Sequence, residues 1–122
     1  MTLTFEPGVR LRSRPEFTAV QEHGRRVASR YLVLLGTPNQ RGCDRLGIIA
    51  SRRLGNAVMR NLAKRRLREV FRHCDSRATA PSDVRTLDLV AIPRRELVAA
   101  PFADIQSEFQ HALRRLRAMR SA

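Results

Sequence analysis

Two long stretches of the chain repeat their apolar residues with the period of an amphipathic helix. The first runs from about Asn56, which can cap it, to His73 and contains no internal glycine or proline. At about 100° per residue, its apolar positions fall on one arc: Met59, Ala63, Leu67, Val70, Phe71 and Cys74. The second runs from about Pro101 to Met119, with a core-facing stripe at Phe102, Ile105, Phe109, Ala112, Leu113 and Leu116. Each helix therefore packs one face and leaves the other to solvent or a ligand.

The N-terminal part of the chain predicts an extended lead-in followed by a short helix. Residues 1–12 show no periodicity, and they include Pro7-Gly8. The segment 13–16 has the spacing of a capping box with a proline in the first turn, and Gly24 can end a helix. We therefore predict a helix over about residues 14–22.

Three apolar runs have the length and composition of β-strands. Residues 27–36 hold one or two strands, residues 46–51 form a further strand, and residues 86–92 form the last one. Residues 37–42 and 79–82 have the composition of loops. The order helix, strands, helix, strand, helix indicates a single α+β domain, residues 1–122, in which helices pack on a sheet.

The net charge of +13 and the pI near 11.7 point to a polyanionic partner, either nucleic acid or an anionic lipid surface. Nearly every cation is arginine, and Lys64 is the single lysine. Because arginine grips phosphate with a planar fork of donors, this composition suits nucleic acid. No apolar run approaches the roughly 20 residues that a membrane span needs, and residues 1–20 have no signal-peptide pattern. We expect a cytosolic protein.

The basic charge is densest between Arg52 and Arg68, in a turn marked by Gly55 and in the helix that follows. Close pairs of like charges on a helix repel by a few tenths of a kcal/mol each, so a polyanion lying along this helix would stabilise it. A solvated basic face is the commoner meaning of such a run. The fixed spacing of the glycine and of Asn56 and Asn61 favours an RNA-docking element instead.

The run from Gly55 to Asn61, followed by Lys64-Arg65 and Arg68, resembles the signature of the protein component of bacterial ribonuclease P. The resemblance covers most of the chain and is not confined to arginines, because it continues at Phe17, His23-Gly24, Leu46-Gly47, Asp88-Leu89-Val90 and Gln110-His111. It implies an αβββαβα sandwich like the second domain of ribosomal protein S5. It also implies a left-handed βαβ crossover, although right-handed crossovers are the general rule.

The same resemblance implies that the protein is an accessory subunit and not the catalyst. A catalytic RNA would remove the 5′ leader of precursor tRNA by endonucleolytic hydrolysis, leaving a 5′ phosphate. The reaction would use Mg²⁺ bound by the RNA and the substrate, with no dedicated metal site on the protein. The protein would bind the catalytic RNA and the leader, broaden substrate binding and raise metal affinity. It would act as a monomer within the holoenzyme, away from membranes.

Two groups of residues take implied roles from the matching motif positions. The residues that would contact the catalytic RNA are Arg53, Arg60, Asn61, Lys64, Arg65 and Arg68. Phe17, Ser51 and Arg52 would line the cleft that takes the leader, although pattern alone makes Phe17 a core residue. Family members commonly have further aromatic residues where this chain has Gln21 and Leu35, so we expect less stacking in the cleft. Tyr31 lies nearby, and strand alternation decides its face.

Three other functions fit the composition less well. A self-sufficient nuclease needs grouped carboxylates or a histidine paired with an acid, and the acids of this chain are scattered. A ribosomal or other structural RNA-binding protein is the main alternative, and a DNA-binding regulator ranks third. Cys43 and Cys74 lie far apart without zinc-ligand spacing, so we expect two reduced thiols.

Overall fold

The computed structural model describes residues 10–11, 13–39, 41, 43–73 and 86–119. The described residues form four helices: α1 (Arg14–His23), α2 (Ala57–Arg72), α3 (Arg95–Ala99) and α4 (Phe102–Ala118). The helices α1, α2 and α4 follow the predicted order. The short α3 was not predicted, and a 3-10 turn at Arg52–Leu54 precedes α2. The predicted loop at 79–82, the lead-in before Arg10 and the predicted packing of Cys74 lie outside the described residues.

The strands are β1 (Arg25–Ala28), β2 (Leu32–Pro38), β3 (Arg45–Ile48) and β4 (Leu87–Pro93). They form one sheet in the order β1-β2-β4-β3, in which β3 is parallel to β4 and the other neighbours are antiparallel. The apolar run at 27–36 therefore holds two strands, as one of the two alternatives predicted. The predicted loop at 37–42 begins too early, because Thr37 and Pro38 still pair with β4.

The two faces of the sheet are covered unequally. Leu32, Leu34, Leu89 and Ala91 pack with α2 and α4 in a large buried cluster. Strand alternation turns Val33, Leu35 and Val90 to the opposite face, where they join Leu11 and Val20 in a smaller cluster. The side chains at the edge of this smaller cluster are only partly buried: Phe17, Ile49 and Ile92. The face under α1 thus has the smaller of the two buried clusters.

The predicted apolar arcs of both long helices are confirmed over their central turns, whereas Met59 at the start of α2 is only half-buried. On α2 the buried residues are Ala63, Leu67, Val70 and Phe71. On α4 they are Ile105, Phe109, Ala112, Leu113 and Leu116. Phe102 was wrongly predicted to face the core: it begins α4 with its side chain exposed, and its ring meets the His73 ring edge-on at 6.2 Å.

Arg45 ties α1 to the sheet through two carboxylates. Its Nε and Nη2 donate to the two carboxylate oxygens of Asp88 on β4, each at 2.8 Å, and its Nη1 donates to Glu16 on α1 at 2.8 Å. Glu16 also accepts the backbone N–H of Ser13, which completes the predicted capping box. The hydrogen bonds that Arg45 donates to the Asp88 carboxylate raise the pKa of Arg45, against the opposing effect of burial. The guanidinium is therefore a fixed cation whose two carboxylate partners lie on different elements.

A second buried carboxylate joins α4 to the same sheet. Asp44 is fully buried and accepts the backbone N–H of Leu87 at 2.8 Å, at the start of β4. Arg117 of α4 donates to both of its oxygens, with 3.3 Å between Nη1 and Oδ1. Each face of the sheet thus has a helix fixed by an ion pair.

Replacing Arg45 with methionine should lower the free energy of unfolding by about 3 to 5 kcal/mol, because it leaves the largely buried Asp88 carboxylate without its cationic partner. Glu16→Gln is the control: the Glu16 side chain is 28% exposed, and removing its charge should cost about 1 kcal/mol or less. Urea unfolding at neutral pH measures both. Equal losses for the two variants would contradict a dominant Arg45–Asp88 pair.

Candidate RNA interface

Gly55 and Asn56 start the basic helix. Gly55 has φ 144°, a left-handed conformation that favours glycine, and a Cβ there would lie 2.5 Å from the Met59 sulfur. The Asn56 side-chain oxygen accepts the Met59 N–H at 3.0 Å, so the predicted N-cap is confirmed. Gly55 and Asn56 therefore have a structural role: they shape the turn and cap the first turn of α2.

The outward face of α2 forms an open recess of about 510 Å³, which we call the α2 recess. Its lining contains four of the residues predicted to bind the catalytic RNA, together with two apolar side chains: Asn61, Lys64, Arg65 and Arg68, with Val58 and Leu62. Arg53 is exposed on the 3-10 turn and Arg60 is half-buried, and neither lines the recess. The structure therefore gathers most of the predicted set on one helix face.

A second depression of about 450 Å³, the Phe17 groove, lies between α1, β3 and α2. Its lining is Arg10, Leu11, Phe17, Leu46, Gly47, Ile48, Lys64 and Arg68. The Phe17 ring lies directly on the backbone of Gly47, since a Cβ at Gly47 would lie 2.5 Å from two ring carbons. Phe17 is therefore half-buried: one part of the side chain packs against the smaller cluster, and another part lines the groove.

Lys64 and Arg68 line both the α2 recess and the Phe17 groove. The residues predicted for the catalytic RNA and those predicted for the leader were separate sets. In the structure, Lys64 and Arg68 of the first set line the same groove as Phe17 of the second. Burial lowers the pKa of Arg68, and the positive charge of Arg10 lowers it further. An anion placed among these cations would relieve that repulsion, so the shared rim suits a phosphate.

Arg10 is a groove residue that the sequence did not predict. Leu11 donates its backbone N–H to Leu46 at 3.1 Å, and Arg10 forms a parallel bridge with Leu46 at the edge of β3. This pairing joins residues far apart in sequence, so no local pattern could have indicated it. It places Arg10 beside the basic helix.

The other residues discussed for the leader cleft do not line the Phe17 groove. Ser51 and Arg52 are exposed at the turn before α2 and do not line the Phe17 groove. Leu35 is buried under α1, whereas Gln21 is exposed on that helix. Tyr31 is buried in the large cluster on the opposite face of the sheet, so it cannot replace the missing aromatic residues. Phe17 is the aromatic side chain that lines the groove among the described residues.

These features define a small basic α+β protein with a cationic surface on α2 that suits nucleic acid. A model of the protein family described as Ribonuclease P matches residues 5–117. The chain belongs to this family, the protein components of bacterial ribonuclease P.

Relatives and solved structures agree over nearly the whole chain. The ribonuclease P protein component of Petrotoga mobilis is 34% identical over 94% of this chain and 97% of its own length. That of Chloroflexus aurantiacus is 38% identical over 86% of this chain and 75% of its own. The structure of the Staphylococcus aureus RNase P protein has a TM-score of 0.72 at 29% identity, covering 92% and 98% of the two chains. The Thermotoga maritima RNase P protein has a TM-score of 0.71 at 30% identity, covering 91% and 97%.

The family and the mixed α+β fold predicted from the sequence are thereby confirmed. Across the residues that the structure describes, no helix is long and apolar enough to span a membrane.

The contact between Phe17 and Gly47 predicts a specific coupling. Gly47→Ala should destabilise the protein by about 1 to 3 kcal/mol, because the new methyl group overlaps the Phe17 ring. In a Phe17→Ala background the same change should cost at least about 1 kcal/mol less. Urea unfolding of the four proteins measures the coupling. An identical cost in both backgrounds would show that the ring does not lie on Gly47.

Proposed function

We propose that this chain, as the protein subunit of ribonuclease P, holds the catalytic RNA on one side of α2 and the 5′ leader of precursor tRNA on the other. The observation that supports this division is the shared rim: Lys64 and Arg68 line both the α2 recess and the Phe17 groove. Helix α2 would thus contact both the catalytic RNA and the leader that the catalytic RNA removes.

Docking on the catalytic RNA is assigned to the exposed cationic face of α2. Asn61 and Arg65 line the α2 recess alone, so they serve the catalytic RNA and not the leader. Arg53 and Arg60 flank this face, where they would contact neighbouring phosphates. Each phosphate neutralised by a cation releases bound counterions, so this part of the affinity should depend steeply on salt.

Leader binding is assigned to the Phe17 groove. The half-buried ring offers a stacking surface for a base, and Arg10, Lys64 and Arg68 offer cations for the phosphate next to it. Ser51 and Arg52 are exposed on the turn before α2 and would meet the leader outside the groove. Among the described residues, Phe17 is the one aromatic side chain that lines this groove, and stacking of a base on its ring would contribute about 1 to 3 kcal/mol.

The chemistry is assigned to the RNA subunit with Mg²⁺. The side chains that line both depressions are apolar, amide or cationic, and cations repel a divalent metal ion. We therefore assign the Mg²⁺ ions to the phosphates of the RNA and the substrate. By neutralising neighbouring phosphates and fixing the leader, the protein would let the reaction proceed at lower Mg²⁺ concentrations.

Cleavage of a 5′-extended precursor tRNA at low Mg²⁺ tests the proposal. The protein alone, the cognate catalytic RNA alone and the two together are compared. We expect efficient release of the leader, with a 5′ phosphate on the tRNA, only from the mixture. Cleavage by the protein alone would assign catalysis to the protein. No stimulation, together with a footprint on ribosomal RNA, would favour a structural RNA-binding protein.

Two substitutions should separate the two surfaces. Arg65→Ala should weaken binding to the catalytic RNA and lower the slope of log affinity against log salt by about 0.9 for each phosphate that the protein no longer neutralises. Phe17→Leu retains an apolar side chain and removes the aromatic face. It should raise the KM for leader-bearing substrates by a factor corresponding to about 1 to 3 kcal/mol, with unchanged affinity for the catalytic RNA.

Arg68→Ala provides the comparison, because Arg68 lines both depressions. It should lower both the affinity for the catalytic RNA and the gain in affinity that a leader gives. A leaderless tRNA measured with each variant isolates that gain. If Phe17→Leu lowers catalytic-RNA affinity as strongly as Arg65→Ala does, the two surfaces are not distinct.

A further inference from the structure

Val58 is an exposed apolar side chain on an otherwise cationic helix face. It is 75% exposed, and the only other exposed large hydrophobic side chain among the described residues is Phe102, at 37%. Phe102 has a partner in the His73 ring, whereas Val58 stands on the outward face of α2. Helix stability does not explain the valine, because alanine or lysine is a better helix former at an exposed position.

Val58 has an apolar neighbour one turn along the helix. Leu62 follows it by four residues, which places both side chains on the same side of α2, and both line the α2 recess. The recess is open to solvent and has a volume of about 510 Å³. The recess therefore combines a small apolar surface with space for a group of moderate size.

The polar groups around this apolar surface indicate which ligand fits. Lys64, Arg65 and Arg68 supply positive charge, and the Asn61 amide can both donate and accept hydrogen bonds. An anion linked to a flat, partly apolar ring with hydrogen-bonding edges matches all three features. A nucleotide has this combination. A second copy of this chain does not fit, because it carries the same net charge of +13.

We propose that the α2 recess binds an unpaired nucleotide of the catalytic RNA, with its base against Val58 and Leu62 and its phosphate among the cations. The inference rests on the proposed docking of α2 on that RNA. The nucleotide is unpaired because an A-form duplex presents phosphates and 2′-hydroxyls and keeps its base faces stacked. Val58 then contributes affinity that does not depend on salt, beside the salt-dependent contribution of the arginines.

Val58→Thr tests the proposal, because it keeps the shape of the side chain and replaces a methyl group with a hydroxyl. Affinity of the full chain for the catalytic RNA is measured across a salt series. We expect a loss of roughly three- to ten-fold at every salt concentration, with an unchanged salt slope. Arg65→Ala should instead lower the slope by about 0.9. Phe102→Thr is the control at the other exposed apolar position and should leave both quantities unchanged.

A plain RNA duplex serves as a second probe. Val58→Thr should bind it as well as the unmodified protein does, because a duplex offers no unstacked base. Equal weakening on the duplex and on the catalytic RNA would overturn the assignment of an unpaired nucleotide.

Three further outcomes have distinct meanings. Full affinity for the catalytic RNA in Val58→Thr, with a lowered slope in Arg65→Ala, would overturn this inference and leave the proposed function intact. No effect of either variant would overturn docking through this face of α2, and with it the proposed function. If Val58→Thr changes the oligomeric state of the free protein in sedimentation, without any change in RNA affinity, the recess binds a second copy of the chain.

Discussion

The position of the Phe17 groove depends on the guanidinium of Arg45. Removing this cation from water is tolerated because two carboxylates on different elements take up its donors. Glu16 is the residue before Phe17 on α1, and Gly47 follows Arg45 by two residues on the same face of β3. The ion pair and the contact between ring and glycine are therefore neighbours, so α1 cannot shift along the sheet without breaking both. Rigid placement of this kind keeps a binding surface ready before the ligand arrives.

The topology of the sheet explains why the α2 recess and the Phe17 groove meet. Because β3 is parallel to β4, the chain must cross between them, and α2 is that crossover. The helix packs Leu67 and Phe71 into the large core, while its cationic side reaches the edge of β3. The bridge between Arg10 and Leu46 brings one more cation to that edge and covers part of the open strand. The shared rim of Lys64 and Arg68 is thus a result of strand order.

Sequence reasoning was most accurate where the signal is local. The capping box at Ser13, the N-cap at Asn56 and the buried arcs of α2 and α4 depend on residues a few positions apart. The two caps are confirmed, and so are the arcs over their central turns. The groove was not predictable in the same way, because it combines Arg10, Phe17, Gly47 and Arg68 from four separate segments. Phe102 shows a limit of periodicity: the stripe extends to the end of α4, but the core does not. The handedness of the crossover and the likeness to a ribosomal protein domain stay predictions.

The energetics of α2 reconcile its charge with its stability. The pairs Arg60–Lys64 and Lys64–Arg68 place like charges one turn apart, and each costs a few tenths of a kcal/mol. Burial of Leu67, Val70 and Phe71 contributes about 1.5 to 3 kcal/mol for each side chain, which is several times larger. Burial of the apolar face is therefore enough to stabilise the helix, even though its outward side carries cations that repel one another. In the proposed complex, RNA bound along α2 would remove this repulsion, and the energy released would add to the affinity of the complex.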